Sequence, residues 1–283
     1  YGFLRDDRNR IITCRKDYRY IAMIELIKQE EAMKIYTEAV RTRKKYSNCY
    51  FSPNEFCHKL GKKKITVYKG EDALLLVEKG ERTNSLYYMS DSYNWVCSLE
   101  NIKASHKPLV LNLVQKEESA EKLPFLDYGY SVYKVYQRLR KMGRLPDCKE
   151  NTVSDYCGEE DRGRLRDMMD NTFDVFSDNI PTEEELNEFI KNKNIICIRM
   201  EHRVIGFIIF EDKGKTSYIR MVCIDRDYRG KGLGNKLMNI YFRLHSDYKS
   251  FTLWYDTENM AAYSLYLRWG YEKEGMYNFI FVF

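Results

Sequence analysis

One stretch in the second half of the chain carries three glycines at alternate positions: Cys223-Ile224-Asp225-Arg226-Asp227-Tyr228-Arg229-Gly230-Lys231-Gly232-Leu233-Gly234. The residues before it, Ser217–Ile224, have the character of a strand, and Asn235–His245 carries apolar residues at helical spacing. Glycines at such a junction let backbone N–H groups converge on one anion, and the helix dipole favours the same charge. The stretch therefore predicts a phosphate-binding loop.

Basic side chains accompany these glycines and supply counter-charge. Arg229, Lys231 and Lys236 lie in the loop or in the first turn of the predicted helix. A P-loop requires G-x-x-x-x-G-K-[ST] and a dinucleotide-binding fold requires G-x-G-x-x-G, and neither spacing fits this loop. An ordinary strand-to-helix turn is the alternative, but it does not account for the coincidence of strand, glycines, helix and bases.

A second motif follows after one further predicted strand: Asn259-Met260-Ala261-Ala262-Tyr263-Ser264-Leu265-Tyr266-Leu267-Arg268-Trp269-Gly270-Tyr271. Together the two stretches resemble the paired signatures of the GNAT superfamily of N-acyltransferases, R/Q-x-x-G-x-G/A and N-x-A-A-x-x-L-Y-x-x-x-G-F/Y. The resemblance covers residues 155–283. It implies an α/β (α+β) fold, in which a mixed, mostly antiparallel twisted sheet is flanked by helices.

The resemblance also implies a ligand, acetyl-CoA, as the acyl-donor substrate, and no metal. In that family the pyrophosphate lies on the glycine loop, and the pantetheine arm follows the third strand of the antiparallel meander where it parts from the next strand. A backbone N–H near Val222 would then polarise the thioester carbonyl and stabilise the tetrahedral oxyanion. The cofactor-binding residues implied in this way are Val222, Cys223, Ile224, Arg229, Gly230, Lys231, Gly232, Leu233, Gly234, Asn235, Lys236 and Asn259.

Tyr266 matches the general acid of the family. A departing thiolate has a conjugate-acid pKa of about 8.5, and a tyrosine with a pKa of about 10 can hand it a proton in a closed site. Plain aromatic packing is the alternative for Tyr266, and a helix N-cap is the alternative or additional role for Asn259. Cys223 has no histidine beside it in the sequence, which favours a buried structural thiol over a nucleophile.

The general base is left open by the sequence. The third strand contains no acid before Asp225, and Arg220 stands where an acid is sometimes found in the family. The candidates are Glu211, Asp225 and Asp256, or a chain of water molecules. Asp225 also fits a role in shaping the loop.

The first half of the chain predicts the same order of elements with different residues. A long helix is predicted over Tyr20–Lys45, and a shorter one begins at Ser52-Pro53-Asn54-Glu55, as another does at Thr182. The predicted strands of the two halves correspond in order: Ile65–Tyr68, Ala73–Glu78, Ser85–Met89, Leu109–Val114 and Val132–Leu139 with Ile195–Met200, Val204–Phe210, Ser217–Ile224, Phe251–Tyr255 and Met276–Phe283. We therefore predict an internal duplication into two tandem GNAT-like domains, residues 1–148 and 149–283.

The first copy lacks the signatures of the second. No glycine lies between Met89 and Leu109, where its loop would fall, and the Asn…Leu-Tyr motif is absent before Gly129. We therefore expect residues 1–148 to be a degenerate domain with a structural role, walling part of the acceptor site. Residues 149–283 would be the catalytic domain.

The composition of the chain argues against several other classes of protein. The chain has 283 residues and a net charge of only +5, from 47 basic and 42 acidic side chains, so nucleic acid is not an expected partner. Its eight cysteines and four histidines are dispersed, which favours free thiols in a reducing cytoplasm over disulfides or a metal site. The apolar runs are too short to span a membrane, and no signal peptide is visible.

The sequence therefore predicts an N-acetyltransferase in which an amine attacks acetyl-CoA directly, through a tetrahedral intermediate. The acceptor is an amine-bearing small molecule or peptide, and its identity, the acyl chain length and the oligomeric state stay open. Two alternatives remain: a non-catalytic acyl-CoA sensor or binding module, favoured by the missing base, and a module of a larger biosynthetic polypeptide, suggested by the start at Tyr1.

Overall fold

A computed structural model describes residues 25–116, 123–143 and 155–283. The chain divides into two compact units. The first is formed by residues up to Lys134 together with Phe279–Phe283, and the second by Val135–Asn278. Each unit is a mixed sheet with helices packed against it, which confirms the predicted α/β class.

The first unit has its meander at the centre of its sheet. Its strands run in the order β1-β3-β4-β5-β6, and the last residues of the C-terminal strand lie beside β6. The pairs from β1 to β5 are antiparallel and β5–β6 is parallel. Its elements are β1 (Glu25–Leu26), α1 (Gln29–Thr42), β2 (Tyr46–Ser47), α2 (Pro53–Gly61), β3 (Ile65–Lys69), β4 (Ala73–Lys79), β5 (Asn84–Ser90), α3 (Leu99–Ser105) and β6 (Leu109–Lys116).

The second unit repeats this order and adds strands at its edges. The order in its sheet is β7-β12-β11-β10-β9-β8, with β13 next to β7. Its elements are β7 (Lys134–Met142), β8 (Asp155–Tyr156), α4 (Arg162–Asp170), α5 (Glu183–Lys191), β9 (Ile195–Met200), β10 (Arg203–Lys213), β11 (Thr216–Ile224), α6 (Leu233–Leu244), β12 (Ser250–Asp256), α7 (Met260–Arg268) and β13 (Glu272–Val282).

Side chains alternate between the two faces of the sheet along the strands of the second unit, so they contribute to two separate cores. One face packs under α6 and α7 and includes Ile219 and Leu253 from the strands and Tyr266 from α7. The other face packs under α4 and α5 and includes Met221 and Cys223. Because β11 contributes to both cores, its backbone is fixed from either side of the sheet.

Helix starts follow the capping residues that the sequence shows. Ser52 accepts a hydrogen bond from the N–H of Glu55 at 3.2 Å, and Pro53 occupies the first turn of α2. Thr182 and Glu185 form a reciprocal capping box at the start of α5, with bonds of 3.2 and 2.8 Å. The two predicted helix starts are confirmed.

The long helix predicted over Tyr20–Lys45 is wrong in extent. Glu25–Leu26 is a strand, Lys28 is still extended, and α1 begins only at Gln29. It ends where Arg43 takes a left-handed conformation with φ 48°. Residues 20–24 lie outside the described part of the chain. In addition, α3 and α4 were not predicted, and β13 begins four residues earlier than Met276.

The strand predicted to close the first half belongs to the second unit. β7 pairs antiparallel with β12, from Ser250↔Met142 to Asp256↔Tyr136. Periodicity indicates that a strand exists but not which strand it pairs with, so this pairing could not be predicted from the sequence. The predicted boundary at 148/149 lies outside the described residues, whereas the compact units divide between Lys134 and Val135.

Candidate functional site

Two neighbouring parallel strands of the second unit separate part of the way along their length. β11 pairs with β12 from Thr216↔Ser250 only as far as Ile219↔Leu253. On its other side β11 has a bulge, because Met221 faces Ile209 and Ile219 faces Phe210, which leaves Arg220 unpaired in the ladder. A bulge bends and twists its strand, so β11 turns away from β12 directly after their last pair. The result is a gap between residues 220–224 of β11 and residues 254–256 of β12.

The backbone of β11 presents polar groups to this gap. The N–H of Asp225 donates to the carbonyl of Ile205 at 2.9 Å, towards β10. Because successive residues of a strand face opposite neighbours, Cys223 also faces β10, whereas Val222 and Ile224 face the gap. In the described part of the chain β11 has no strand neighbour other than β10 and β12. Its edge therefore offers hydrogen-bonding groups to an extended polar ligand.

The glycine loop leads from the end of β11 into α6. Gly230 and Gly232 have φ values of +75° and +77°, which strain any other L residue, and an added Cβ at either would meet no atom within 4 Å. Gly232 is the N-cap of α6 and supplies no side-chain cap, so the first helical N–H groups are left for another acceptor. Gly234 has a different role, since a Cβ there would lie 3.2 Å from Leu265 of α7.

The basic side chains of the loop are exposed and held by local contacts. Arg229 donates from Nε to the carbonyl of Ile224 at 3.0 Å. Lys231 donates to the carbonyl of Asp227 at 3.1 Å, and its ammonium lies 4.9 Å from the centre of the Tyr228 ring. Lys236 is exposed in the first turn of α6. These positive charges lie on the same loop as the glycine backbone.

Two of the predicted ligand residues have structural contacts. Asn235 accepts a hydrogen bond from the indole of Trp269 at 3.1 Å, which ties the start of α6 to the end of α7. Asn259 caps α7 by accepting from the N–H of Ala262 at 3.0 Å. The N-cap role is confirmed, and contacts of both residues with a cofactor stay predictions.

Tyr266 lies in the core that packs under α7 and is only 7% exposed. Burial, and secondarily the neighbouring Tyr218, raises its pKa. The phenol therefore stays protonated at neutral pH and has a proton to donate. Tyr218 is placed on β11 opposite Thr252 of β12, one residue before the last pair of this ladder.

Two of the three candidate bases are engaged with arginines. Glu211 contacts Arg220 at 3.1 Å, and Asp225 forms an ion pair with Arg164. Burial disfavours the charge on Asp225, but a backbone hydrogen bond from Asp227 and the Arg164 pair hold its pKa below the usual range. Asp256 accepts from the N–H of Glu258 at 3.0 Å. The structure therefore leaves the base unassigned and shows Asp225 shaping the loop.

Cys223 turns its side chain away from the gap. The thiol is 1% exposed, and its Sγ lies 3.6 Å from Oγ1 of Thr172. Burial raises the pKa of this thiol. These surroundings are those of a structural thiol, and only the backbone of Cys223 lies close to the gap.

The first unit has a corresponding strand pair, but its gap is filled. β5 and β6 pair only at Asn84↔Leu109 and Ser85↔Val110. Beyond these pairs the short strand β2 lies along β5, and Asn48 follows it. The side chain of Asn48 donates to the carbonyls of Leu86 and Asn112 at 3.0 and 3.1 Å and accepts from the N–H of Tyr88 at 2.6 Å. A two-residue strand and a single asparagine have no periodicity, so the sequence did not reveal them.

The described ranges, 25–116, 123–143 and 155–283, lack two features that would point to other functions. They contain no group of three or more His, Cys, Asp and Glu side chains that could hold a metal ion. None of their helices has the length and apolarity needed to cross a membrane.

Comparisons with known proteins agree with this geometry. Residues 191–273 match the family model of the acetyltransferase (GNAT) domain, whereas no curated protein matches the sequence. The chain therefore contains a GNAT acetyltransferase domain, and proteins of this fold family use acyl-CoA.

Solved structures resemble both units at low sequence identity. A GNAT-family acetyltransferase from Colwellia psychrerythraea has 11% identity and a TM-score of 0.54, with 92% of this chain and 99% of that chain covered. A tandem GNAT protein from the clavulanic acid biosynthesis pathway has 9% identity and a TM-score of 0.53, with coverage of 92% and 98%. The glucosamine N-acetyltransferase region of a fungal multi-domain β-N-acetylglucosaminidase has 12% identity and a TM-score of 0.62, with coverage of 94% and 39%. Identities this low show a shared fold and leave the substrate open.

Proposed function

We propose that the second unit is an N-acetyltransferase that moves the acetyl group of acetyl-CoA to an amine by direct attack, through a tetrahedral intermediate. The observation that carries this proposal is the gap opened by the bulge at Arg220, beside a glycine loop that begins a helix. One end of this arrangement suits an anion, and the other provides an unpaired strand edge next to a buried tyrosine.

The loop Arg229–Gly234 is the proposed pyrophosphate site. Left-handed Gly230 and Gly232 keep side chains away from the backbone N–H groups, and the helix dipole adds positive potential at the same place. Arg229, Lys231 and Lys236 add charge, and charge-assisted hydrogen bonds of this kind are about twice as strong as neutral ones. Leu233, Gly234 and Asn235 complete the first turn of the helix.

The edge of β11 is the proposed pantetheine site. An extended amide chain can pair with Val222 and Ile224 as a further strand would, and the side chain of Cys223 stays on the other face. Asn259 lies at the start of α7, the helix that carries Tyr266. A backbone N–H at Val222 is then placed to stabilise an oxyanion, which develops only in the transition state.

Tyr266 is the proposed general acid, and the amine acceptor comes from solution as a small molecule or peptide. Because the phenol is buried and protonated, it can donate to the thiolate that leaves. The first unit has the proposed role of a structural, degenerate copy. Its own strand occupies the place that a ligand would take.

Calorimetry with acetyl-CoA and thiol release over a panel of amines test the proposal. We expect one equivalent of acetyl-CoA per chain and turnover with at least one amine. The engagement of Glu211 and Asp225 by arginines favours a second candidate, a non-catalytic acyl-CoA binding module. Binding without turnover on any amine would select that candidate, and absence of binding would reject both.

A further inference from the structure

We propose that Tyr136 is a positioning residue for the acceptor amine, because it fixes Ser177–Asn179 across the gap between β11 and β12. This inference rests on the proposed transferase function and deepens it, since it concerns the acceptor side of the same site. Its basis is a set of hydrogen bonds within the second unit.

The segment that Tyr136 holds is a compact turn in the connection between α4 and α5. Asp174 Oδ1 accepts from the N–H of Phe176 at 3.0 Å, and from the N–H and hydroxyl of Ser177 at 3.0 and 2.9 Å. Asp178 Oδ2 accepts in turn from the N–H of Asp174 at 2.6 Å. Because the turn is held together by its own hydrogen bonds, a displacement of one residue displaces the whole segment.

The turn is attached to the sheet at two points. Tyr136 donates its phenolic proton to Asp178 Oδ1 at 2.5 Å and lies 3.0 Å from the hydroxyl of Ser177. Because an ionised carboxylate can only accept, the phenol is the donor in the bond to Asp178, while the Ser177 hydroxyl donates its own proton to Asp174. At the other end Arg220 donates to the carbonyl of Asn179 at 3.3 Å. The side chains of Tyr136 and Arg220 are 7% and 11% exposed, so both anchors are sheltered from water.

The two anchors lie on either side of the gap. Tyr136 faces Asp256, the last residue of β12, in the β7–β12 ladder. Arg220 is the bulged residue where β11 leaves β12. Since β12 lies between β7 and β11, Ser177–Asn179 crosses the open end of β12.

The turn and the proposed donor site lie on opposite faces of the sheet. Arg220 packs over the ring of Phe189 of α5, at 5.3 Å, which places the turn on the α4–α5 face. The core that contains Tyr266 and α6 lies on the other face. An amine that approaches opposite the donor therefore has to pass the edge of Ser177–Asn179.

Tyr136 acts in this geometry through the loop and not as a base. Burial, and secondarily Asp178, raises its pKa, so the hydroxyl stays a hydrogen-bond donor. A hydrogen bond to a carboxylate is among the stronger ones in proteins, and its loss releases the loop on this side.

The test compares Tyr136→Phe with Tyr248→Phe. Tyr248 also donates a phenolic proton to an aspartate, Asp212 at 3.1 Å, but near the end of the sheet where β12 begins. Kinetics use acetyl-CoA with the best acceptor from glucosamine, spermidine, lysine and a tripeptide. For Tyr136→Phe we expect KM for the amine to rise about tenfold, as the loss of a charged hydrogen bond implies. The Kd of acetyl-CoA should stay within about twofold of wild type in both variants, because Tyr136 lies on the face opposite the donor and Tyr248 follows the end of α6 that is remote from the glycine loop.

A second readout follows the loop itself. Hydrogen exchange of residues 174–179 should accelerate in Tyr136→Phe and stay unchanged in Tyr248→Phe. An unchanged KM, unchanged exchange, or a loss confined to kcat would each overturn the positioning role while leaving the transferase proposal intact. Failure of the wild-type protein to acetylate any amine would instead overturn the proposed function, and this inference with it.

Discussion

The two units share a parallel strand pair that separates after a few residues, and they differ in what lies in the gap. In the second unit β11 leaves β12 after Ile219, and its backbone at Val222 faces the opening. In the first unit β2 and Asn48 occupy the corresponding place beside β5. The same strand pair thus leaves an open gap in one unit and is filled by a segment of the chain in the other, and the difference depends on residues outside the strand pair.

The first unit also differs in the loop after its third meander strand, which contains no glycine. Between β5 and α3 the chain makes a short helical turn over Asn94–Ser98, where Trp95 is fully buried and donates to Ser90 at 3.2 Å. A buried indole at this junction stabilises the sheet by apolar burial, on the order of 2–3 kcal/mol for a large side chain. The second unit instead leaves its junction exposed and charged, which agrees with the proposed binding of an anion by the backbone of the loop.

The largest expected effect comes from blocking the open loop. Gly232→Val places a β-branched side chain at φ +77° in front of the helix N-terminus, and should weaken acetyl-CoA binding by at least about a hundredfold in calorimetry. Gly214→Val is the matched control, because Gly214 also has a positive φ of +62° and open space around its Cβ. Equal loss of affinity in both variants would mean that strain, and not the loop, is being measured.

Removal of the Tyr266 hydroxyl tests the chemistry of the open gap. Tyr266→Phe should lower kcat about a hundredfold, the lower range for general acid catalysis, with little change in the Kd of acetyl-CoA. Tyr271→Phe is a suitable control, since its ring lies 5.9 Å from that of Tyr266 and is also buried. A kcat for Tyr266→Phe equal to that of the control would remove Tyr266 from the acid role.

Removal of the asparagine tests the filled gap. Asn48→Ala leaves two carbonyls and one N–H without their side-chain partner and should destabilise the protein by about 2–4 kcal/mol in chemical denaturation. Its neighbour Ser47 is exposed, so Ser47→Ala should have a much smaller effect. Acetyl-CoA affinity should not change in either variant. A second equivalent of acetyl-CoA bound by Asn48→Ala would show that the asparagine alone keeps the first gap closed.

A smaller effect is expected on the stability of the second unit at low pH. In the second unit, hydrogen bonds from Arg199 hold the pKa of the sheltered Asp161 below its usual range, against the opposing effect of burial. The stability that this pair contributes is present above the unfolded pKa of about 3.9 and is lost as the pH falls through the lower folded value. Denaturation midpoints from pH 5 to pH 2 should therefore fall less steeply for Asp161→Asn. An identical slope would contradict this.

Local patterns predicted most of the second unit. The strand Ile195–Met200 matches its predicted bounds, and α7 begins directly after Asn259, because capping and periodicity act within a few residues. The helix predicted over Asn235–His245 begins two residues earlier, at Leu233, because Gly232 is its N-cap. The bulge at Arg220, the pairing of β7 with β12 and the bond from Tyr136 to Asp178 were not predicted. Each joins residues far apart in the chain, and a single sequence carries no local signal for such contacts.

The candidate site shows the same division. Gly230, Gly232 and Tyr266 could be predicted as site residues from the sequence because their motifs are contiguous. The ion pairs of Glu211 and Asp225 with arginines could not be predicted, because these arginines come from other elements, β11 and α4. The filling of the first gap by Asn48 depends on a side chain 40 positions from its partner Tyr88.

The assignment of Phe279–Phe283 to the first unit has a consequence for biosynthesis. Leu109 of β6 exchanges backbone hydrogen bonds with Phe283, at 3.3 and 2.8 Å. During translation, at about 5–20 residues per second, β6 is synthesised well before Phe283. Its outer edge therefore stays without a partner strand for roughly ten seconds or longer. During that interval the unpaired edge of β6 can pair with a wrong strand. Charged residues such as Lys116 at the end of β6 are suited to discouraging it.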